Sequence, residues 1–219
     1  MSDTQRSEAR GSGLVVAAPL AVEAIALRRG APGVRVVRTG MGPRRAARAA
    51  LRLAAKPADA IAVAGVCGAL DPAFEPGDLV VASALIGPGG ARFELAGAAL
   101  VAALRRAGLR VHAGAIACVA RLAEGQPRAE LARRTGACAV DMESFWLAPA
   151  AAGRPFAVLR AVSDGPRHEF WRPAIVTQGI AALRSLRRAA PVLVAWAAEV
   201  SEVPASIPSS APLLRRAQA

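Results

Sequence analysis

The chain has 219 residues, 54% hydrophobic content and a mean hydropathy of +0.35, enough to bury one ordinary domain and too apolar for wholesale disorder. Its formal net charge is +12, yet every basic residue except Lys56 is an arginine, spread along the whole chain, and aromatic residues make up only 4%. A nucleic-acid binder clusters its cations and supplies aromatic platforms for bases, so this composition argues against one and reads as solvated arginines on helix faces.

Residues 1–12 are polar and read as a disordered tail, 13–200 as a single domain, and 201–219 as a proline- and serine-containing tail. Residues 13–18 (GLVVAA) predict a strand, followed by a helix over 21–29. A second strand over 34–38 closes at Gly40-Met41-Gly42, and Pro43 suits the first turn of a helix reaching 55. Residues 60–63 read as a strand buried on both faces, then a glycine-punctuated turn, Gly65-Val66-Cys67-Gly68. Strands are expected at 79–85, 109–119, 138–141 and 156–162, with helices at 93–107, 127–135, 143–152 and 175–200. Pro149 removes a backbone donor inside the helix at 143–152, and Pro191 is expected to break the last helix. Strands alternating with helices predict one α/β domain, a three-layer sandwich around a mixed central sheet.

The three cysteines are odd in number and widely spaced, and there are only two histidines, so neither a disulfide framework nor a metal site is expected. The longest uncharged stretch, 79–91, is too short to span a bilayer. Asp3 and Glu8 precede the first apolar run where a signal peptide would carry basic residues. A soluble cytoplasmic protein is the expectation.

Ligands of α/β sheets collect at the carboxyl ends of strands. Glu23 follows the first strand, Gly65 and Gly68 the third, Met142 and Glu143 the strand ending at Asp141, and Ser163 and Asp164 the strand carrying Arg160. Three carboxylates and an arginine at strand ends suit acid–base chemistry. Taken singly, Glu143 and Ser163-Asp164 read better as helix caps or dipole partners than as catalytic groups. Arg160 is harder to dismiss, because a charge in a buried strand is costly unless paired or facing a ligand.

Three segments carry a resemblance to a known family. Gly65-Val66-Cys67-Gly68-Ala69-Leu70-Asp71-Pro72 running on to Glu75-Pro76-Gly77-Asp78, then Val140-Asp141-Met142-Glu143-Ser144, then Val158-Leu159-Arg160-Ala161-Val162-Ser163-Asp164, resemble in order the glycine loop, ribose motif and catalytic strand of family 1 of the nucleoside phosphorylases and nucleosidases. The resemblance implies cleavage of the N-glycosidic bond of a purine nucleoside, with adenine the expected base, by phosphate or by water. It implies a catalytic set of Asp164 as general acid to the departing base, Glu23 as activator of water and Arg160 beside the nucleophile. Met142 and Glu143 would hold ribose, Ser163, Leu122 and Val140 the base, and Gly42, Gly65, Val66 and Arg44 the phosphate or water. No cofactor is implied beyond phosphate as co-substrate, and relatives form dimers, trimers or hexamers, which implies a homo-oligomer.

Departures from the family pattern accompany the likeness. Val63 and Val66 stand where phosphorolytic relatives place arginine and serine or threonine, and Leu122 and Arg121 where an aromatic stacks on the purine. Phe145-Trp146 replaces small residues, either as helix packing or as the lining of an apolar channel. Leu70-Asp71-Pro72, the ribose motif and the run 183–193 are most similar to the hopanoid-associated branch. That likeness implies an adenosylated lipid substrate and a use for surface arginines near an anionic membrane. Methylthioadenosine, adenosylhomocysteine or futalosine nucleosidases, and a catalytically silent nucleoside-binding relative, are the alternatives.

Overall fold

The computed structural model describes residues 13–121, 126–166 and 175–202. Leu122 and most of both predicted tails lie outside the described residues. The elements in chain order are β1 (Leu14–Ala18), α1 (Ala21–Gly30), β2 (Arg35–Arg38), α2 (Pro43–Ala54), β3 (Ala60–Ala69), β4 (Leu79–Ile86), β5 (Arg92–Glu94), α3 (Ala98–Arg106), β6 (Val111–Cys118), α4 (Gln126–Thr135), β7 (Ala139–Asp141), α5 (Ser144–Leu147), β8 (Phe156–Asp164) and α6 (Ile175–Glu202).

The sheet is mixed, as expected, and it curls on itself. It runs β2-β1-β3-β7-β6-β4-β5, and β8 pairs with both β3 and β4, closing a ring of five strands. β3 and β8 are parallel, whereas β8 meets β4 and β7 meets β3 antiparallel. Alternation along β3 supplies both faces: Ala60, Ala62 and Ala64 join a core with residues of α1, α3 and α6, and Ile61, Val63 and Cys67 join one with residues of α2 and α5. Helices on both faces make the three layers.

The structure corrects several sequence boundaries. β3 continues through Ala69, so the expected glycine turn Gly65-Val66-Cys67-Gly68 is strand, held by β8 along its length. Phe93 does not begin a helix; it pairs across from Leu85 in β5 and meets Phe156 edge-on. α3 starts only after Gly97, where a Cβ would sit 2.8 Å from Val81 Cγ1. The predicted helix at 143–152 splits into α5 and a 3-10 turn (Ala148–Ala151) with Pro149 in its first turn, because proline cannot extend the α ladder. α6 runs unbroken past Pro191. Proline leaves the carbonyl of Arg187, four residues earlier, without its helical donor, and there α1 crosses: a Cβ on Gly30 would lie 1.9 Å from that oxygen. Burial of Ala189, Ala190 and Leu193 against α1 outweighs the lost bond. Among the described residues no helix is long and apolar enough to cross a membrane.

Candidate active site

Glu23 and Glu143, which follow the carboxyl ends of β1 and β7, converge with Arg160 of β8 beside Gly65 and Val66 of β3, and Arg160, Gly65 and Val66 all lie within the paired stretch of those two strands. Glu23 sits in the first turn of α1, immediately after β1, and is 1% exposed. Its Oε2 accepts the Leu20 N–H at 2.6 Å, tying it to the helix end, and its Oε1 accepts the Val66 N–H at 2.8 Å. Glu143 occupies the position before α5, but its carboxylate caps nothing there. Instead its Oε1 accepts the N–H of Gly42, 101 residues away, at 2.8 Å. Gly42 has φ +90, a conformation that favours glycine. The cap of α5 is Asp141, whose Oδ1 accepts the N–H groups of Glu143 and Ser144.

Arg160 joins these acids. It is fully buried, with Nη2 2.7 Å from Asp141 Oδ2, 2.9 Å from the Ser144 hydroxyl oxygen and 3.7 Å from Glu143 Oε2. Burial opposes its charge, but Asp141, Glu143 and Glu23 together hold its pKa above the ordinary value. Burial in turn pushes the Glu23 and Glu143 carboxyls up, against the pull of Arg160 and their backbone donors. Three acids around one guanidinium leave a net negative cluster in a low-dielectric setting.

Gly65 is required by this packing. A Cβ there would fall 2.6 Å from Arg160 Nη1 and 2.7 Å from Glu23 Oε1. Gly65→Ala is therefore expected to lower stability by about 1–3 kcal/mol and to disturb the acid cluster. Thermal melting together with base release would check it, and a variant matching wild type in both would contradict it.

The base end lies further along β8. Pairing slips between Cys67 and Gly68, so that Gly68 opposes Asp164 and Ser163 is the extra residue of a bulge. The Ser163 hydroxyl lies 2.8 Å from Asp164 Oδ1 and 3.2 Å from the Cys67 carbonyl oxygen. Asp164 Oδ2 is 2.5 Å from Arg128 Nη2 on α4, with both side chains buried. Val140 is buried near Gly68, and Met142 is half-buried after β7. Arg44 is not drawn into this cluster; it is exposed on α2, in a groove with Met41, Gly42, Pro43, Arg45 and Arg48. Phe145 and Trp146 pack edge-on to one another against the second core.

Three participants escaped the sequence reading. Asp141 and Ser144 lie inside the ribose motif, and a charge ending a buried strand was a usable signal for the first. Arg128 left none, being one arginine among many on an ordinary helix.

The family model for the phosphorylase superfamily matches residues 23–186, well over half of the chain. The chain belongs to the phosphorylase superfamily. Its fold agrees with this membership. A Campylobacter jejuni 5′-methylthioadenosine/S-adenosylhomocysteine nucleosidase is similar at TM-score 0.71 and 16% identity, over 83% of this chain and 96% of that one. Helicobacter pylori futalosine hydrolase is similar at TM-score 0.69 and 19% identity, over 85% and 97%. An S-adenosylhomocysteine nucleosidase from Streptococcus pyogenes, in complex with 5-methylthiotubericidin, is similar at 0.65 and 21%, over 83% and 94%. A sequence search of curated proteins returns no match. Membership makes this chain an enzyme of the nucleoside phosphorylase and nucleosidase class.

Proposed function

We propose that this superfamily member is a purine nucleoside hydrolase, with water as the nucleophile. One observation carries the choice of water over phosphate. The two backbone N–H groups best placed to cradle an anion, those of Val66 and Gly42, already donate to Glu23 and Glu143. Arg160, the buried cation, is engaged by Asp141, Ser144 and Glu143. A phosphate entering there would meet two carboxylates and no vacant backbone donor from either residue. Water needs a base instead, and a buried glutamate with a raised pKa is suited to that work at neutral pH.

In this reading Glu23 takes a proton from water, Glu143 grips the ribose hydroxyls beside Met142, and Asp164 with Ser163 and Val140 forms the base end. The solved neighbours support it, since they include methylthioadenosine/adenosylhomocysteine nucleosidases and futalosine hydrolase. The expectation of an adenosylated hopanoid gains no such support, and a nucleoside with a 5′-thioether or a futalosine-like 5′ extension is the preferred substrate class.

The test is base release from methylthioadenosine, adenosylhomocysteine, futalosine, adenosine and inosine, with and without phosphate. The expected outcome is free base plus free ribosyl product at a rate that phosphate does not change. Strict phosphate dependence with a ribose 1-phosphate product would overturn the hydrolytic assignment.

A further inference from the structure

We propose that Asp78, which lies outside the acid cluster, is a positioning residue: it pins the turn that fixes where β8 leaves its neighbours, and so where Asp164 stands against the base. The proposal rests on the nucleoside-cleaving reading above and deepens it at the base end of the same site.

The Asp164 carboxyl is held by Arg128 and the Ser163 hydroxyl, but the course of the backbone beneath it is decided at Val162. There β8 has a neighbour on each side. β3 pairs with it as far as Cys67 opposite Val162, and then the register slips. On the other side its ladder with β4 runs out into the turn at 75–78. The Val162 N–H donates to the Asp78 carbonyl oxygen at 2.8 Å, and the Gly77 N–H donates to the Val162 carbonyl oxygen at 2.8 Å. Ser163, the extra residue of the bulge, comes next, and Asp164 after it. A bulge interrupts a ladder and re-aims the side chains beside it. The turn thus sets the residue at which β8 is released.

The side chain of Asp78 holds that turn from within. Asp78 is 3% exposed. Its Oδ1 lies 2.8 Å from Arg110 Nε and its Oδ2 2.8 Å from Arg110 Nη2, a two-pronged pair that fixes direction as well as distance. Oδ2 also accepts the Glu75 N–H at 3.1 Å, closing the turn, and lies 3.1 Å from His112 Nε2. Burial opposes the charge of Asp78, but Arg110, the Glu75 N–H and His112 hold its carboxyl below the ordinary value. His112 in turn stacks on Phe74, their ring centroids 4.0 Å apart. Arg110 and His112 stand at the start of β6, so the turn joins three strands. Water around the exposed Arg110 side chain leaves this pair little net stability. Its geometric effect on the turn remains.

In the role that the family motif implies, Asp164 gives a proton to the base as the C1′–N9 electron pair leaves on it. Proton transfer depends on reach, and a misplacement of about 1 Å can cost roughly 10²-fold in rate. Loss of the Asp78 carboxylate releases Arg110, His112 and Glu75 together, frees the turn and lets the bulge shift. The ribose end, built on Glu143 and Gly42, does not touch this turn.

N7-methylated nucleosides test this directly, because their base leaves as a neutral molecule without gaining a proton. The parent substrate would be whichever of methylthioadenosine, futalosine, adenosine and inosine wild type cleaves fastest, compared with its N7-methylated form. Initial rates on both would be measured for wild type, Asp78→Ala, Asp78→Asn and Arg154→Met. For Asp78→Ala the expected result is a loss in kcat of roughly 10–10²-fold on the parent, with KM within about threefold. On the methylated form the loss should stay below roughly fivefold. The ratio between the two forms is independent of the fraction of enzyme that is folded. Asp78→Asn, which keeps the volume and an acceptor for Glu75, gives the same comparison should the alanine variant fold poorly. Arg154 stands just before the other end of β8 and donates to the carbonyls of Ala150, Leu53 and Lys56. Its methionine variant should lower Tm and leave the ratio between the forms at the wild-type value. Equal losses on both forms for the Asp78 variants, or the same selective loss for Arg154→Met, would reduce Asp78 to a structural residue and overturn the proposal. A wild type unable to cleave the methylated form would overturn it as well. Wild-type enzyme inactive on every parent nucleoside would instead sink the functional reading, and this inference with it.

Discussion

Glu23→Gln is expected to lower kcat for base release by roughly 10²–10⁴-fold, the range supplied by a positioned general base. The substitution keeps the volume but removes the proton acceptor. It also places an amide NH2 against a backbone donor, since Leu20 and Val66 each give an N–H to one of the two carboxylate oxygens. Wild type should show an acid limb in kcat/KM above the ordinary glutamate value of 4.5, because burial raises the Glu23 pKa. The sign is fixed by chemistry: a base works only when ionised, and a raised pKa means ionisation is lost at a higher pH on acidification. For stability the same shift acts the other way. The contribution of Glu23 is fully present below 4.5 and is lost as pH rises through its folded-state pKa. Glu143 is raised by the same cause and faces the same arginine, so the limb belongs to the pair. A pH–rate profile from 4 to 9 would decide. A limb at or below 4.5, or a Gln variant within tenfold of wild type, would remove Glu23 from this role.

The second large effect concerns folding. Arg160→Leu leaves Asp141, Glu143 and Glu23 buried without their shared cation, and removing one partner of a buried ion pair costs about 3–5 kcal/mol. At ~2–4 °C per kcal/mol for a chain of this size, Tm at pH 7.5 should fall by roughly 6–20 °C. The gap should narrow at pH 5, where raised carboxyls take up protons and no longer need a counter-charge. Arg160→Lys should fall between the two, since an ammonium cannot bridge Asp141 and the Ser144 hydroxyl with the geometry of a planar fork. Melting curves at the two pH values would check this. A leucine variant as stable as wild type at pH 7.5 would show that the cluster is not held by Arg160.

Much of the architecture was legible because it rests on local rules. Apolar runs bounded by glycine and proline mark β1, β4 and β8, and Pro43 marks the start of α2. Boundaries failed where tertiary contacts outweighed local preference. β3 runs through two glycines because β8 pairs with it residue by residue, and Pro191 stays inside α6 because packing against α1 offsets one missing hydrogen bond. Closure of the sheet through β8 also left no local trace, since pairing with both β3 and β4 joins strands distant in sequence.

At the site, the sequence by itself determined which acids end strands, that one arginine lies within a buried strand, and which family those motifs resemble. Only the tertiary structure decided how these groups are partnered. Gly42 and Val66 give their N–H groups to carboxylates, Asp141 shares Arg160, and Arg128 reaches Asp164 from another helix. The physical reason is range. Strand and helix patterns come from neighbours a few residues apart, whereas a buried charge is settled by whichever partner the fold carries to within about 3 Å, and sequence spacing does not encode that approach.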